Sequence, residues 1–248
     1  MMIKKLFDLL YKTEENYWWF IGQRYMVERY LKKYYNSKSN LKLLDIGCGT
    51  GATLNLLNKY GKPYGIDISE NAIKYCKIRG FTNVKKSNVL DIKFGNNTFD
   101  VATCLGVFYH KSVKDDIKGL KEINRILKHG GRLIFFDCAM MSLFGKHTIA
   151  FHGIRRYSKL ELELKLRKAG FEVEKISYIN TILFPAVFVK RKLEKFGNAI
   201  PKSEVHEKIN PLINSLLKTI FKFEIKGMDY VSYPFGVNII AIAKKSSK

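Results

Sequence analysis

Residues 43–51 read Leu-Leu-Asp-Ile-Gly-Cys-Gly-Thr-Gly, and an acid, Asp67, closes the next apolar run. Glycine at Gly47, Gly49 and Gly51 lets the backbone turn sharply and bring its N–H groups close to a ligand with no Cβ between them. A carboxylate at the end of the second run is placed to accept hydrogen bonds from ribose hydroxyls. These residue types at this spacing describe a nucleoside site. The elements that must hold it are a buried strand over 41–46, a helix beginning near Thr53 and a second strand over 64–67.

Two cofactor classes fit that arrangement. Gly47, Gly49 and Ala52 satisfy a relaxed dinucleotide fingerprint. Asp45 separates the two: it sits just before the loop, where a dinucleotide would bring an anionic pyrophosphate and like charges would repel. S-adenosylmethionine carries an ammonium and a sulfonium and no phosphate, so an acid there favours it. The segment resembles motif I, Asp/Glu-x-Gly-x-Gly-x-Gly, of the class I S-adenosylmethionine-dependent methyltransferases. That resemblance implies S-adenosylmethionine as cofactor, held by Asp45, Gly47, Cys48, Gly49, Gly51, Asp67 and Ile68, with Asn88 and Val89 after strand three and Leu105 at the end of strand four. Asn88 stands where the family usually has an Asp that reads the adenine amino group; an amide oxygen can accept the same bond. His129 replaces the family's usual Pro before the paired glycines.

Short apolar runs alternate with helical stretches along the chain. A third strand ends within 84–91, a fourth covers 98–105, a helix follows over 120–127, and Lys128-His129-Gly130-Gly131 forms a turn before a fifth strand at 132–136. This alternation predicts an α/β fold with a parallel sheet covered on both faces. The resemblance extends it to a doubly wound seven-stranded sheet in order 3-2-1-4-5-7-6, with 171–177 and 237–243 supplying an antiparallel closing pair. Residues 1–40 form an N-terminal helical arm or lid, 41–248 the methyltransferase domain, and 138–170 and 178–236 substrate-side insertions around strand six. Lys244 to Lys248 read as a disordered tail.

The arm carries Tyr17-Trp18-Trp19-Phe20, and four adjacent aromatics cannot all face one side of a helix, so at least one covers something other than the core. A subset of the family has a similar Trp-Trp-Phe arm followed by a basic residue. That likeness places Trp19 and Arg24 at the cofactor, Arg24 near the methionine carboxylate or an acidic substrate. Downstream, Ser158 and Glu161 make a capping box, so a helix starts there and the polar stretch 147–157 is a loop. The same subset has a comparable His...Arg-Arg-Tyr stretch and a Tyr-x-Asn...Phe-Pro pattern matching Tyr178, Asn180, Phe184 and Pro185, which would line the acceptor site. Candidate catalytic residues are therefore His110, which follows strand four where many members have Glu-His and this chain has Tyr109-His110, together with His152 and Tyr157. Each histidine also has a purely structural reading. Methyl transfer from a sulfonium mainly needs donor and nucleophile oriented, and a base helps when the nucleophile is a hydroxyl.

With 248 residues and 46% hydrophobic content the chain can bury a sizeable core. The four cysteines, Cys48, Cys76, Cys104 and Cys138, show no paired metal spacing, so no metal is expected and a reducing cytoplasm follows. Met1 to Leu10 is interrupted by Asp8 and lacks a cleavage-like site, which is unlike a signal peptide. Net charge is +22, read either as attraction to an anionic partner or as plain composition. Its most suggestive concentration is Lys190-Arg191-Lys192 after the apolar stretch 182–189, a pattern suited to peripheral contact with an anionic membrane surface. No nucleic-acid module is recognised, and the motifs of DNA base methylation are absent, so nucleic acid is not an expected partner. The expected reaction is methyl transfer, at oxygen, to a small-molecule, lipid-like or glycan acceptor. A non-catalytic binding protein that keeps the same cofactor site is the alternative from another class, and an NAD-dependent oxidoreductase is disfavoured by Asp45.

Overall fold

The computed structural model describes residues 4–36, 40–196 and 209–246. In chain order the elements are α1 (Lys4–Thr13), α2 (Trp18–Tyr35), β1 (Leu41–Ile46), α3 (Ala52–Leu57), β2 (Gly61–Asp67), α4 (Glu70–Ile78), β3 (Val84–Lys86), β4 (Phe99–Leu105), α5 (Asp116–Ile126), β5 (Leu127–Cys138), α6 (Lys146–Ala150), α7 (Lys159–Lys168), β6 (Phe171–Ile179), α8 (Phe184–Phe196), α9 (Pro211–Gly227) and β7 (Asn238–Lys245). The seven strands form one sheet in the order β3-β2-β1-β4-β5-β7-β6. β7 is antiparallel to both β5 and β6, as the resemblance implied.

Strand side chains alternate between faces, and both faces here are covered, so the central strands are apolar almost throughout. Leu44, Ile46, Leu133, Phe135, Ile239 and Ala241 point into one core with residues of α5 and α7, such as Leu120 and Leu162. Their neighbours Leu43, Ile134, Phe136, Ile240 and Ile242 point into the other, where Met26, Val27 and Leu31 of α2 and Phe221 and Ile225 of α9 meet them. A one-residue slip in any of these strands would exchange the two cores.

Local expectations needed revision in four places. Lys128 to Gly131 does not stand apart as a turn: Leu127 already pairs with Phe99, and the chain stays in β5 across a register shift, with Gly130 at φ 75. β3 is only Val84–Lys86, because Asn88 then folds back, its Oδ1 accepting from the Leu90 N–H at 2.9 Å. The stretch before the Ser158 cap is not all loop, since α6 occupies Lys146–Ala150; the cap itself is present, with Ser158 accepting from the Glu161 N–H at 3.2 Å. Lys244 and Lys245 belong to β7, and of the proposed tail residues 247–248 lie outside the described residues.

Candidate active site

A cavity of about 1030 Å³ opens at the carboxyl ends of β1, β2 and β4, at the top of the usual range of roughly 300 to 1,000 Å³ for small-molecule sites. Its inner end is the glycine turn. Gly47 and Cys48 both donate their N–H groups to the carbonyl of Ile66, at 2.8 and 3.0 Å, which pins the turn to the end of β2. Gly47, Gly49 and Gly51 have φ of 74, 53 and 94°, a region that side chains disfavour. Space is tightest at Gly47, where a Cβ would lie 2.4 Å from Val107 Cγ2.

Asp67 stands at the end of β2. Its Oδ2 accepts from the Gly49 N–H at 3.1 Å and its Oδ1 from the Ser69 N–H at 2.8 Å, so the carboxylate ties the turn to the start of α4. Burial raises its pKa above the usual carboxylate value. Asp45 lies opposite Thr103 in the β1–β4 register and accepts from Thr103 Oγ1 at 2.6 Å; burial pushes it up to about 7. Both acids line the cavity, as do Gly47, Cys48, Gly49, Ile68, Asn88, Val89 and Leu105. Gly51 does not. It precedes α3 and packs toward Cys76 and Arg79, so its role is to turn the chain.

The arm reaches this end by residues that motif matching did not single out. Phe7, Leu10 and Glu14 line the cavity; spaced by three and four, they share one face of α1 and its continuation. Glu14 is buried, accepts from Thr50 Oγ1, and pairs with Arg79 Nη2 at 2.7 Å. Arg79 also meets Glu15 at 2.7 Å and donates to the Thr50 carbonyl at 2.7 Å, forming a clamp between arm and glycine turn. From α2, Phe20 and Gln23 face the cavity. Trp19 and Arg24 do not: Trp19 packs on Phe136 and Phe221, with ring centroids 5.5 and 6.0 Å away. Arg24 holds the α1–α2 corner by donating to the carbonyls of Glu14 and Glu15 at 2.9 and 3.2 Å. Both are consumed by contacts from segments that no local motif predicts.

At the outer end His110 and His152 face each other edge to face, 5.7 Å apart, with Tyr109 and Phe151 beside them. The Ser112 N–H donates to His110 Nδ1 at 3.1 Å, so in the neutral ring the proton resides on Nε2. With Nδ1 accepting, His110 in this tautomer has a hydrogen-bond donor at Nε2. Burial and the neighbouring His152 lower its pKa. His152 takes φ 55, and burial and Lys111 lower its pKa too. Tyr157 is a core residue, 1% exposed, with its hydroxyl donating to Asp116 Oδ2 at 3.2 Å. Arg155 pairs with Asp116, and buried Arg156 donates to the Ala139 carbonyl at 2.9 Å, so the Arg-Arg-Tyr part of that stretch braces the loop and only its histidine end reaches the cavity. Tyr178, Asn180, Phe184 and Pro185 are also absent from the lining. Asn180 donates to Asn238 at 3.2 Å, and Phe184 packs on Phe235 at 5.2 Å.

A methyltransferase-domain family model matches residues 44–135, the span from β1 to β5 that carries these acids and glycines. The chain belongs to the class I S-adenosylmethionine-dependent methyltransferases. A demethylmenaquinone methyltransferase of Geobacillus stearothermophilus is 36% identical to this methyltransferase over 120 residues, 44% of this chain and 50% of that one; the chain thus spans about half the length of that relative. An uncharacterized protein of Methanocaldococcus jannaschii is 35% identical over 77% of both chains. The methyltransferase also shares its fold with a SAM dependent methyltransferase from Archaeoglobus fulgidus, at a TM-score of 0.56 and 21% identity over 90% of this chain and 94% of that one.

Proposed function

We propose that the chain binds S-adenosylmethionine at the glycine turn and methylates an oxygen of a small, largely apolar acceptor held at the histidine end. The observation that carries this reading is the charge of the turn. Asp45, Asp67 and Glu14 converge there, Glu14 paired with Arg79; of the lysines in the lining, Lys86 is paired with Glu70 at 2.7 Å, and Lys111 and Lys114 follow His110. Such a set suits a cationic ligand and repels a pyrophosphate. Asp67 would hold the ribose, Val89 and Ile68 would flank the adenine, and Asn88 would accept from its amino group. When bound, the cofactor supplies an activated methyl group; the protein orients the acceptor and moves a proton. His110 donates through Nε2–H to the acceptor, and His152, exposed at the cavity mouth, takes the hydroxyl proton. Phe7, Leu10, Phe20 and Phe151 give the apolar wall, and the relative named for demethylmenaquinone supports an apolar acceptor.

Calorimetric titration with S-adenosylhomocysteine and with NAD tests the donor site: binding of the first and not the second is expected, and the reverse would sink the reading. The acceptor half is tested by assaying apolar phenols and hydroquinones. His152→Ala should lower kcat by about a hundredfold or more, and an equal rate with Nε2-blocked or deleted His152 would remove it from the chemistry.

A further inference from the structure

The membrane contact expected from Lys190, Arg191 and Lys192 does not hold as a three-cation patch, because Arg191 is buried and bonded to Glu194 at 2.7 Å. A different helix carries the required pattern. α9 turns Phe221, Glu224 and Ile225 into the fold, while Leu212, Leu216 and Phe223, on the opposite face, are 81, 59 and 67% exposed. Three large apolar side chains aligned at helical spacing on water are an interaction face. Lys218, Lys222 and Lys226 follow one another at every fourth residue along one flank of that stripe. The sole acid of α9, Glu224, is turned away from it, accepting from the N–H groups of Thr181 and Ile182 at 3.0 and 2.8 Å.

We infer that α9 is a docking face for an anionic lipid surface. An apolar stripe edged by cations with no exposed acid is the make-up of a helix that lies in a membrane interface, and the lysine row gains from anionic head groups. A second copy of the same face would set lysine row against lysine row, which disfavours self-association. Among the described residues no helix is long and apolar enough to cross a membrane, so the contact is peripheral. Its position bears on the cavity: Asn214 of α9 accepts from the Trp18 N–H at 2.8 Å and donates to the Asn16 carbonyl at 2.9 Å, and Phe20 and Gln23 on the cavity wall follow within two turns of α2. Docking by α9 brings this corner of the arm to the lipid.

Sedimentation with vesicles of phosphatidylcholine, with and without phosphatidylglycerol, tests the inference with no cofactor or acceptor added, so failure here leaves methyl transfer untouched. Binding is expected only with phosphatidylglycerol, falling as salt rises. Changing Leu216 and Phe223 to Gln should lower partitioning on the order of tenfold or more, and changing Lys218, Lys222 and Lys226 to Gln roughly fivefold per charge. Both variants should keep wild-type melting temperature and S-adenosylhomocysteine binding. Absence of binding at low salt overturns the inference, as does equal binding by the Leu216/Phe223 variant. Loss of binding on changing Val189 and Leu193 of α8 instead would move the face to α8, and a wild-type dimer that the Phe223 variant abolishes would make it a contact between copies.

Discussion

Asp67 ties the turn together and, in the proposed reading, also holds the ribose, and its substitution removes both at once. Its oxygens already accept from Gly49 and Ser69, so Asp67→Ala should loosen the turn as well as remove the proposed ribose ligand. Affinity for S-adenosylhomocysteine should fall by about 2 to 3 kcal/mol, measured by calorimetry on protein shown to be folded; unchanged affinity would refute the assignment. At Gly47 the demand is steric. Gly47→Ala puts a Cβ against Val107 at a positive φ, at a cost of about 1 to 3 kcal/mol in stability. Val107→Ala in the same chain should recover part of it, because the clash is relieved and the backbone strain is not; a denaturant-melt double-mutant cycle reads the coupling. The chemistry of these residues could be read from sequence because it is local, a few positions around one turn. Tyr157, Arg24 and Trp19 could not be placed that way. Their partners, Asp116, the Glu14 carbonyl and Phe221, come from elsewhere in the chain, and a side chain already satisfied looks the same in sequence as one aimed at a ligand.

Among the elements, the arm is where local pattern and tertiary role diverge most. α1 is a short amphipathic helix, and its apolar face faces the cavity and not only the core. The Glu14–Arg79–Thr50 clamp holds it there, together with the packing of Phe7, Asp8 and Tyr11 on Tyr75. Arg79→Ala leaves Glu14 buried without its cation, a change costing about 3 kcal/mol or more for a buried pair. Proteolysis within α1 should therefore quicken while the sheet core keeps its protection, and S-adenosylhomocysteine should slow cutting of the wild-type arm more than of the variant. Equal cutting rates in the two proteins would show that the clamp does not hold the arm. β1, β4, β6 and β7 were legible to within a residue or two, since a strand buried on both faces is a continuous apolar run, whereas β2 and β5 begin three and five residues earlier than the apolar runs and β3 ends at Lys86. α6 was not: a helix of five residues has no periodicity to read, and polar side chains in 146–150 suggest a loop.

For the molecule as a whole, two buried acids set a pH dependence. Burial pushes Asp45 and Asp137 up to about 7, against roughly 3.9 in an unfolded chain. The folded state therefore binds more protons than the unfolded state between about pH 4 and pH 7, and stability falls as pH rises through that window. Denaturant melts of the ligand-free protein at pH 5 and pH 8 should differ in that direction, and Asp45→Asn should shrink the difference; a slope unaltered by the substitution would show that Asp45 is already ionised in the folded chain. A cationic ligand reverses the preference at Asp45. Cofactor binding near pH 6 should release a proton, seen as a dependence of the calorimetric heat on buffer ionisation enthalpy.

The clamp also has a kinetic consequence. Phe7, Leu10 and Glu14 form part of the wall around the glycine turn, and Arg79 and Thr50 hold that wall in place, so an arm that also covers bound donor would have to let go before spent donor leaves. Turnover is then expected to run in a fixed order, donor first in and its demethylated remnant last out, with exit of the remnant setting the pace. Such an enzyme is throttled by its own product, and Arg79→Lys, with a looser grip, should trade weaker donor binding for relief from that throttle.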